Sequence, residues 1–205
     1  MDSHNSRNQK ALLKLTETTY PRVANLPKAI RHKVNCLIRE AAAAAVPQYD
    51  PGTTVIEAWS SYKTTTNQNG ILSLRFEVYF YPELAAHGVT GISSITLNLL
   101  TGHPYCLGEL FRRGSNYQMY VNRIIQDQIV AGQIPLLKPF DGISPTENYY
   151  LTPDSLVIYY LPSVYTSSAY GVLEFVIPYP QITALIDPSG PVGLILQISE
   201  PFLRK

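Results

Sequence analysis

The sequence is poor in the residues that carry metal and redox chemistry. Its 205 residues include only two cysteines, one tryptophan, two methionines and four histidines. The spacing of Cys36 and Cys106 suggests no disulfide framework, so two buried free thiols are expected, in keeping with a reducing compartment. His4, His32, His87 and His103 stand at no metal-ligand spacing from one another, and neither Cys-x-x-Cys nor His-Glu-x-x-His occurs. No metal and no cofactor are expected.

An excess of one charge is lacking as well. Sixteen Lys and Arg face fifteen Asp and Glu, a net charge of +1, which provides no broad field to draw in nucleic acid or an anionic membrane. No apolar run approaches the ~20 residues of a membrane span. The opening MDSHNSRNQK is polar rather than signal-like, so a cytoplasmic location is expected for the chain as given. No glycine-rich phosphate loop precedes a helix, and Gly142-Ile143-Ser144 lacks the second glycine of a nucleophile elbow.

What is present points to a folded chain of many short strands. Apolar residues make up 45%, and there are 15 Tyr and 16 Pro, enough for one large domain or two small packed ones. A strand is predicted over Lys14 to Val23. A helix follows from Asn25 and Pro27 to Pro47, with Ile30, Val34, Leu37, Ile38, Ala41 and Ala45 on its buried stripe and Lys28, Arg31, Lys33 and Arg39 on other faces. Thr53 to Thr66 and Ile71 to Tyr81 flank Asn69-Gly70, a strong hairpin signal, and Ile92 to Leu99 supplies a third strand. Leu72, Leu74, Phe76 and Val78 should face inward.

A second helix should open at Ser115 with a Ser115/Gln118 capping box and bury Val121, Ile124, Ile125 and Ile129 before ending near Gln133. Short strands are expected at Asn148 to Leu151, Leu156 to Tyr160, Leu173 to Ile177 and Gly193 to Ser199, with a turn or short helix over Pro180 to Ile186. The fold class is α+β: antiparallel sheets packed with two main helices, in two closely associated helix-plus-strands halves.

Candidates for chemistry are few. Cys106 with His103 or His87 would need an activating environment and a third group to orient the histidine; flanked by Tyr105 and Leu107, Cys106 reads as a packed thiol. His87, beside Gly88, reads as a loop histidine bonded to backbone. Glu57 and Glu77 become an acid–base pair only if held close. Asp141-Gly142 and Asp154-Ser155 read as turn formers. The stretch Leu161 to Gly171 is the most unusual. Its Tyr165, Ser167, Ser168 and Tyr170 are the residue types of adaptable contact surfaces, and with His87 they form the candidate binding set.

The blocks NGILSLRFEVYFYPELAAHGVTG, SITLNLLTGHPYCLGELFRRGSNYQMYVNRIIQDQI, ENYYLTPDSLVIYYLP and EFVIPYPQI, in this order and after YPRVANL, resemble the paired domains of RsiV-like anti-sigma factors. These domains form the extracytoplasmic part of RsiV and also the non-catalytic N-terminal part of the peptidoglycan deacetylase PdaC. The resemblance implies a polar tail over 1–13, an N-terminal half over 14–112 and a C-terminal half over 113–205. It further implies a non-enzymatic module that binds a protein or cell-wall-related ligand, with relatives that are extracytoplasmic and can bind lysozyme.

Two blocks depart from the family pattern. Leu84-Ala85-Ala86-His87 stands where relatives carry Gly-Gly-Ala-His. Ser163-Val164 and Ser167-Ser168 replace a Tyr-Glu pair and a Pro-Tyr pair, so lysozyme should bind weakly or not at all. The sequence leaves open an intracellular structural or regulatory interaction protein, in a spore-forming bacterium, and an uncharacterised hydrolase using His87.

Overall fold

A computed structural model describes residues 19–47 and 53–198. The fold class is the expected one, mixed α+β with two antiparallel three-stranded sheets and four helices among the described residues. The chain clusters into two compact units. The described residues up to Thr64 belong with Leu74–Ile95, and Thr65–Ser73 belongs with the residues from Thr96 onward.

In the first unit, α1 spans Lys28–Ala44 with Pro27 as its N-cap, where the missing N–H breaks no helical hydrogen bond. Val34, Ile38, Ala42 and Ala45 are buried, whereas Ile30, Leu37 and Ala41 are half-buried. The buried arc is therefore narrower than the periodicity suggested. The strand predicted over Lys14 to Val23 is not found where it can be checked: 14–18 lie outside the described residues, and 19–23 are irregular. The carboxamide of Asn35 does the pairing instead, accepting from the Val23 amide and donating to the Val23 carbonyl, both at 2.9 Å.

Strands β1 (Val55–Gln68), β2 (Ile71–Pro82) and β3 (Val89–Asn98) form the first sheet in that order. Asn69 and Gly70 both take positive φ, 51° and 79°, as a type I′ turn requires. Along β2, Leu72, Leu74, Phe76, Val78 and Phe80 are buried and alternate with half-buried Arg75, Glu77 and Tyr79.

In the second unit, Leu107–Leu110 forms one 3-10 turn and α2 spans Tyr117–Ala131, burying Val121, Ile125 and Ile129. Ile124 is half-buried. The second sheet is β4 (Tyr149–Leu151), β5 (Ser155–Tyr160) and β6 (Leu173–Pro178), with Leu151 opposite Leu156 and Tyr160 opposite Leu173. Central β5 is buried along its whole length. Two short helices follow, α3 (Tyr179–Ile182) and α4 (Pro191–Leu196).

Helix α4 corrects the strand expected over Gly193 to Ser199, of which Ser199 lies outside the described residues. Gly190 caps it, Pro191 takes its first position, and Gln197 closes it at φ 54°; a six-residue apolar run carries too little periodicity to distinguish helix from strand. The Ser115/Gln118 capping box is also absent. Asn116 is the N-cap, which leaves Gln118 one position short of the third helical residue, and its amide donates to the Ile143 carbonyl at 3.0 Å instead.

Candidate functional site

The Leu161 to Gly171 connection combines a buried support with an exposed edge. Ser163, at φ 69°, and Gly171, at φ 81°, bend the chain, and Tyr170 and Gly171 close a 3-10 turn onto the Ser167 and Ser168 carbonyls. Ser167, Ser168 and Tyr170 are exposed, Tyr170 at 45%. Tyr165 is not. It is only 4% exposed, packs edge-on to Tyr160 at 4.7 Å and against Phe140, and donates its hydroxyl to Asp141. Lys138 lies 4.7 Å over its ring. Burial and the Asp141 bond push its phenol up to about 12, while the same bond holds Asp141 below the usual carboxylate range. As a surface anchor, Tyr165 is thus corrected to a core residue that carries the loop. Among the described residues, the nearby Tyr160 and Thr166 hydroxyls are buried without a hydrogen-bond partner.

Cys106 is exposed and Cys36 half-buried, both free thiols, which corrects the expectation of two buried ones. The 3-10 turn explains why Cys106 is outside the core. Its sulfur accepts from the Glu109 amide, and Glu109 reaches back to the Cys106 amide at 2.8 Å, a capping box with cysteine in the serine position. The other Glu109 oxygen takes His103 Nε2 at 2.8 Å. Sequence reasoning missed this His103–Glu109–Cys106 cluster because Cys-x-x-Glu is an unusual capping signal. Desolvation and the Glu109 carboxylate push the Cys106 thiol up, the reverse of nucleophile activation. No hydrogen bond joins it to His103 among the described residues. A cleft of about 370 Å³ beside the turn is lined by Tyr105, Glu109, Arg113, Asp187 and Ser189.

Desolvation works to raise the Glu109 carboxyl, but the bonds from Cys106 and His103 outweigh it, and the net shift is downward. A depressed carboxyl stabilises the fold above its ordinary pKa of about 4.3, and that contribution is lost as pH falls through the lower folded value. Glu109→Gln is therefore expected to cost under about 1 kcal/mol near neutrality, since the pair is solvent-screened. The gap to wild type in urea denaturation should close as the pH is lowered below the glutamate range. A gap that widens on acidification would contradict the assignment.

His87 is exposed, its Nδ1 3.1 Å from the Gly88 carbonyl. Tyr79 packs where a side chain on Gly88 would go. Glu77 pairs with Arg75 at 2.7 Å rather than with Glu57. Asp154 accepts from Thr152 and Ser155, at 2.7 and 3.0 Å, as a turn former. Among the described residues no group of three or more His, Cys, Asp or Glu is placed to hold a metal ion, and no helix is long and apolar enough to cross a membrane. A second cleft, of about 390 Å³, lies against α1 and is lined by Tyr20, Arg22, Lys28, Arg31, Asn35 and Arg39, with His32 and Cys36.

Residues 108–180 match the model of a family described as a protein of unknown function, DUF3298. This segment holds Glu109, α2, the second sheet and the Leu161 to Gly171 loop; the α1 cleft lies outside it. A crystal structure of a DUF3298 family member from Bacteroides fragilis is similar with a TM-score of 0.54 at 17% identity, covering 83% of this chain and 68% of that one. A DUF3298 family protein from Pseudomonas aeruginosa PAO1 gives 0.51 at 16% identity, over 75% and 68%. At these identities the likeness is one of fold. No curated protein matches the chain.

Proposed function

We propose that this chain is a non-catalytic binding module of the RsiV-like class, which recognises a protein or cell-wall-related ligand through the exposed edge of the Leu161 to Gly171 loop. The observation that carries the reading is the double engagement of Glu109. One carboxylate oxygen goes to His103 and the other to the Cys106 amide, so this cluster, with the residue types of a nucleophilic triad, is occupied in holding a turn. The loop, by contrast, presents Ser167, Ser168 and Tyr170 on a rigid base made by Tyr165, an arrangement that lowers the entropy lost on contact.

The competing reading is hydrolysis, which the proximity of Cys106, His103 and Glu109 would favour if the thiol were activated. The experiment is a titration of labelled protein with soluble muropeptides, with lysozyme as a second titrant, read at the amides of Ser167, Ser168 and Tyr170. Saturable shifts with muropeptides and no tight lysozyme complex are expected. Binding of either titrant that leaves the three loop amides unshifted would overturn the assignment of the loop as the recognition edge, and a tight lysozyme complex would overturn the expected loss of lysozyme affinity.

A further inference from the structure

The α1 cleft gathers basic side chains from two stretches of chain. Lys28, Arg31, Asn35 and Arg39 recur at three- and four-residue spacing, so they share one face of α1 beside its buried stripe. The opposite wall is the irregular segment that carries Tyr20 and Arg22. Asn35 holds this wall through its two bonds to Val23, and Arg31 adds a bond to the Ala24 carbonyl at 3.4 Å. Two separate stretches of chain are thereby made to converge four cations on a volume of about 390 Å³, within the range of small-ligand sites.

Among the described residues the charge lining this cleft is of one sign. None of these four cations forms an ion pair with a carboxylate among the described residues; the ion pairs found are Arg75–Glu77, His103–Glu109 and Lys138–Asp141. The first turn of α1 has no acidic residue and no side-chain cap, so Lys28 and Arg31 sit at the positive end of the helix dipole, where an anion is favoured and a cation is not. Guanidinium groups offer paired donors to phosphate oxygens, and the lysine adds a point charge. From Lys28 to Arg39 the helix rises roughly 16 Å at ~1.5 Å per residue, farther than one phosphate reaches.

We propose that this cleft binds a small oligophosphate, a ligand with two or more linked phosphate groups laid along α1. The site is separate from the loop of the functional reading and does not depend on it.

The test is calorimetric titration of the full chain with inorganic tripolyphosphate, orthophosphate and citrate, alongside Arg31→Ala/Arg39→Ala and a charge-matched control, Lys63→Ala/Arg123→Ala. Both pairs are exposed, and circular dichroism checks that they fold; Gln versions replace any that do not. One-to-one binding of tripolyphosphate is expected, with at least tenfold loss in the Arg31/Arg39 variant and less than twofold in the control. Orthophosphate and citrate should bind at least tenfold more weakly. Tripolyphosphate should also slow alkylation of Cys36, which lines the cleft, and leave Cys106 unchanged. Absence of saturable binding, equal loss in the control, or citrate binding as tightly as tripolyphosphate would each overturn the proposal.

Discussion

Replacing Tyr165 by Ala is expected to lower the free energy of unfolding by about 3 to 5 kcal/mol, the range for a large buried aromatic truncated in a core. The ring is 4% exposed and sits among Tyr160 and Phe140 with Lys138 above it, and its hydroxyl is the partner of Asp141. Tyr170→Ala, by contrast, removes a side chain that is 45% exposed and should change stability by no more than about 0.5 kcal/mol. Urea denaturation of the two variants separates support from contact surface. A Tyr165→Ala protein as stable as wild type would mean that the ring is not the base of the loop.

The second large effect is expected at Gly91 of β3. A methyl group there would lie 2.1 Å from the Ala45 carbonyl oxygen and 2.7 Å from Pro47 Cγ, at the end of α1. The first contact is with backbone, so no rotamer change relieves it and strand and helix end must separate. Gly91→Ala should therefore cost about 3 kcal/mol or more, at or above the upper end of overpacking penalties. Ser61→Ala on exposed β1 should stay within about 0.5 kcal/mol. Thermal or urea denaturation checks both, and a neutral Gly91→Ala would contradict the packing of β3 against that helix end.

The parts of the fold legible in the sequence are those where local chemistry and burial agree. Asn69-Gly70 specifies its turn by tolerating positive φ, and the alternation from Leu74 to Phe80 matches the buried face observed. The Thr152 to Ser155 turn between β4 and β5 was legible for the same reason. Where a short run is apolar on all sides, as at α4, periodicity has nothing to distinguish, and the decisive signals were Gly190 and Pro191 at the start.

The candidate sites were less legible because they depend on contacts distant in sequence. Tyr165 is a residue type of contact loops, yet its ring packs against Phe140 and Tyr160 and its hydroxyl bonds Asp141, 24 positions away. The basic residues of α1 read as an ordinary solvated face. Only the bonds from Asn35 to Val23, 12 positions away, bring a second wall against them and make a cleft.

The central claim is recognition without turnover, and the most direct measurement incubates the full chain with soluble muropeptides and follows their masses alongside the amide shifts of Ser167, Ser168 and Tyr170. Saturable shifts at these exposed positions are expected, with a muropeptide mass spectrum identical to that of the ligand alone. New product masses that vanish in Cys106→Ala or Glu109→Gln would contradict it and establish the His103–Glu109–Cys106 cluster as an active site.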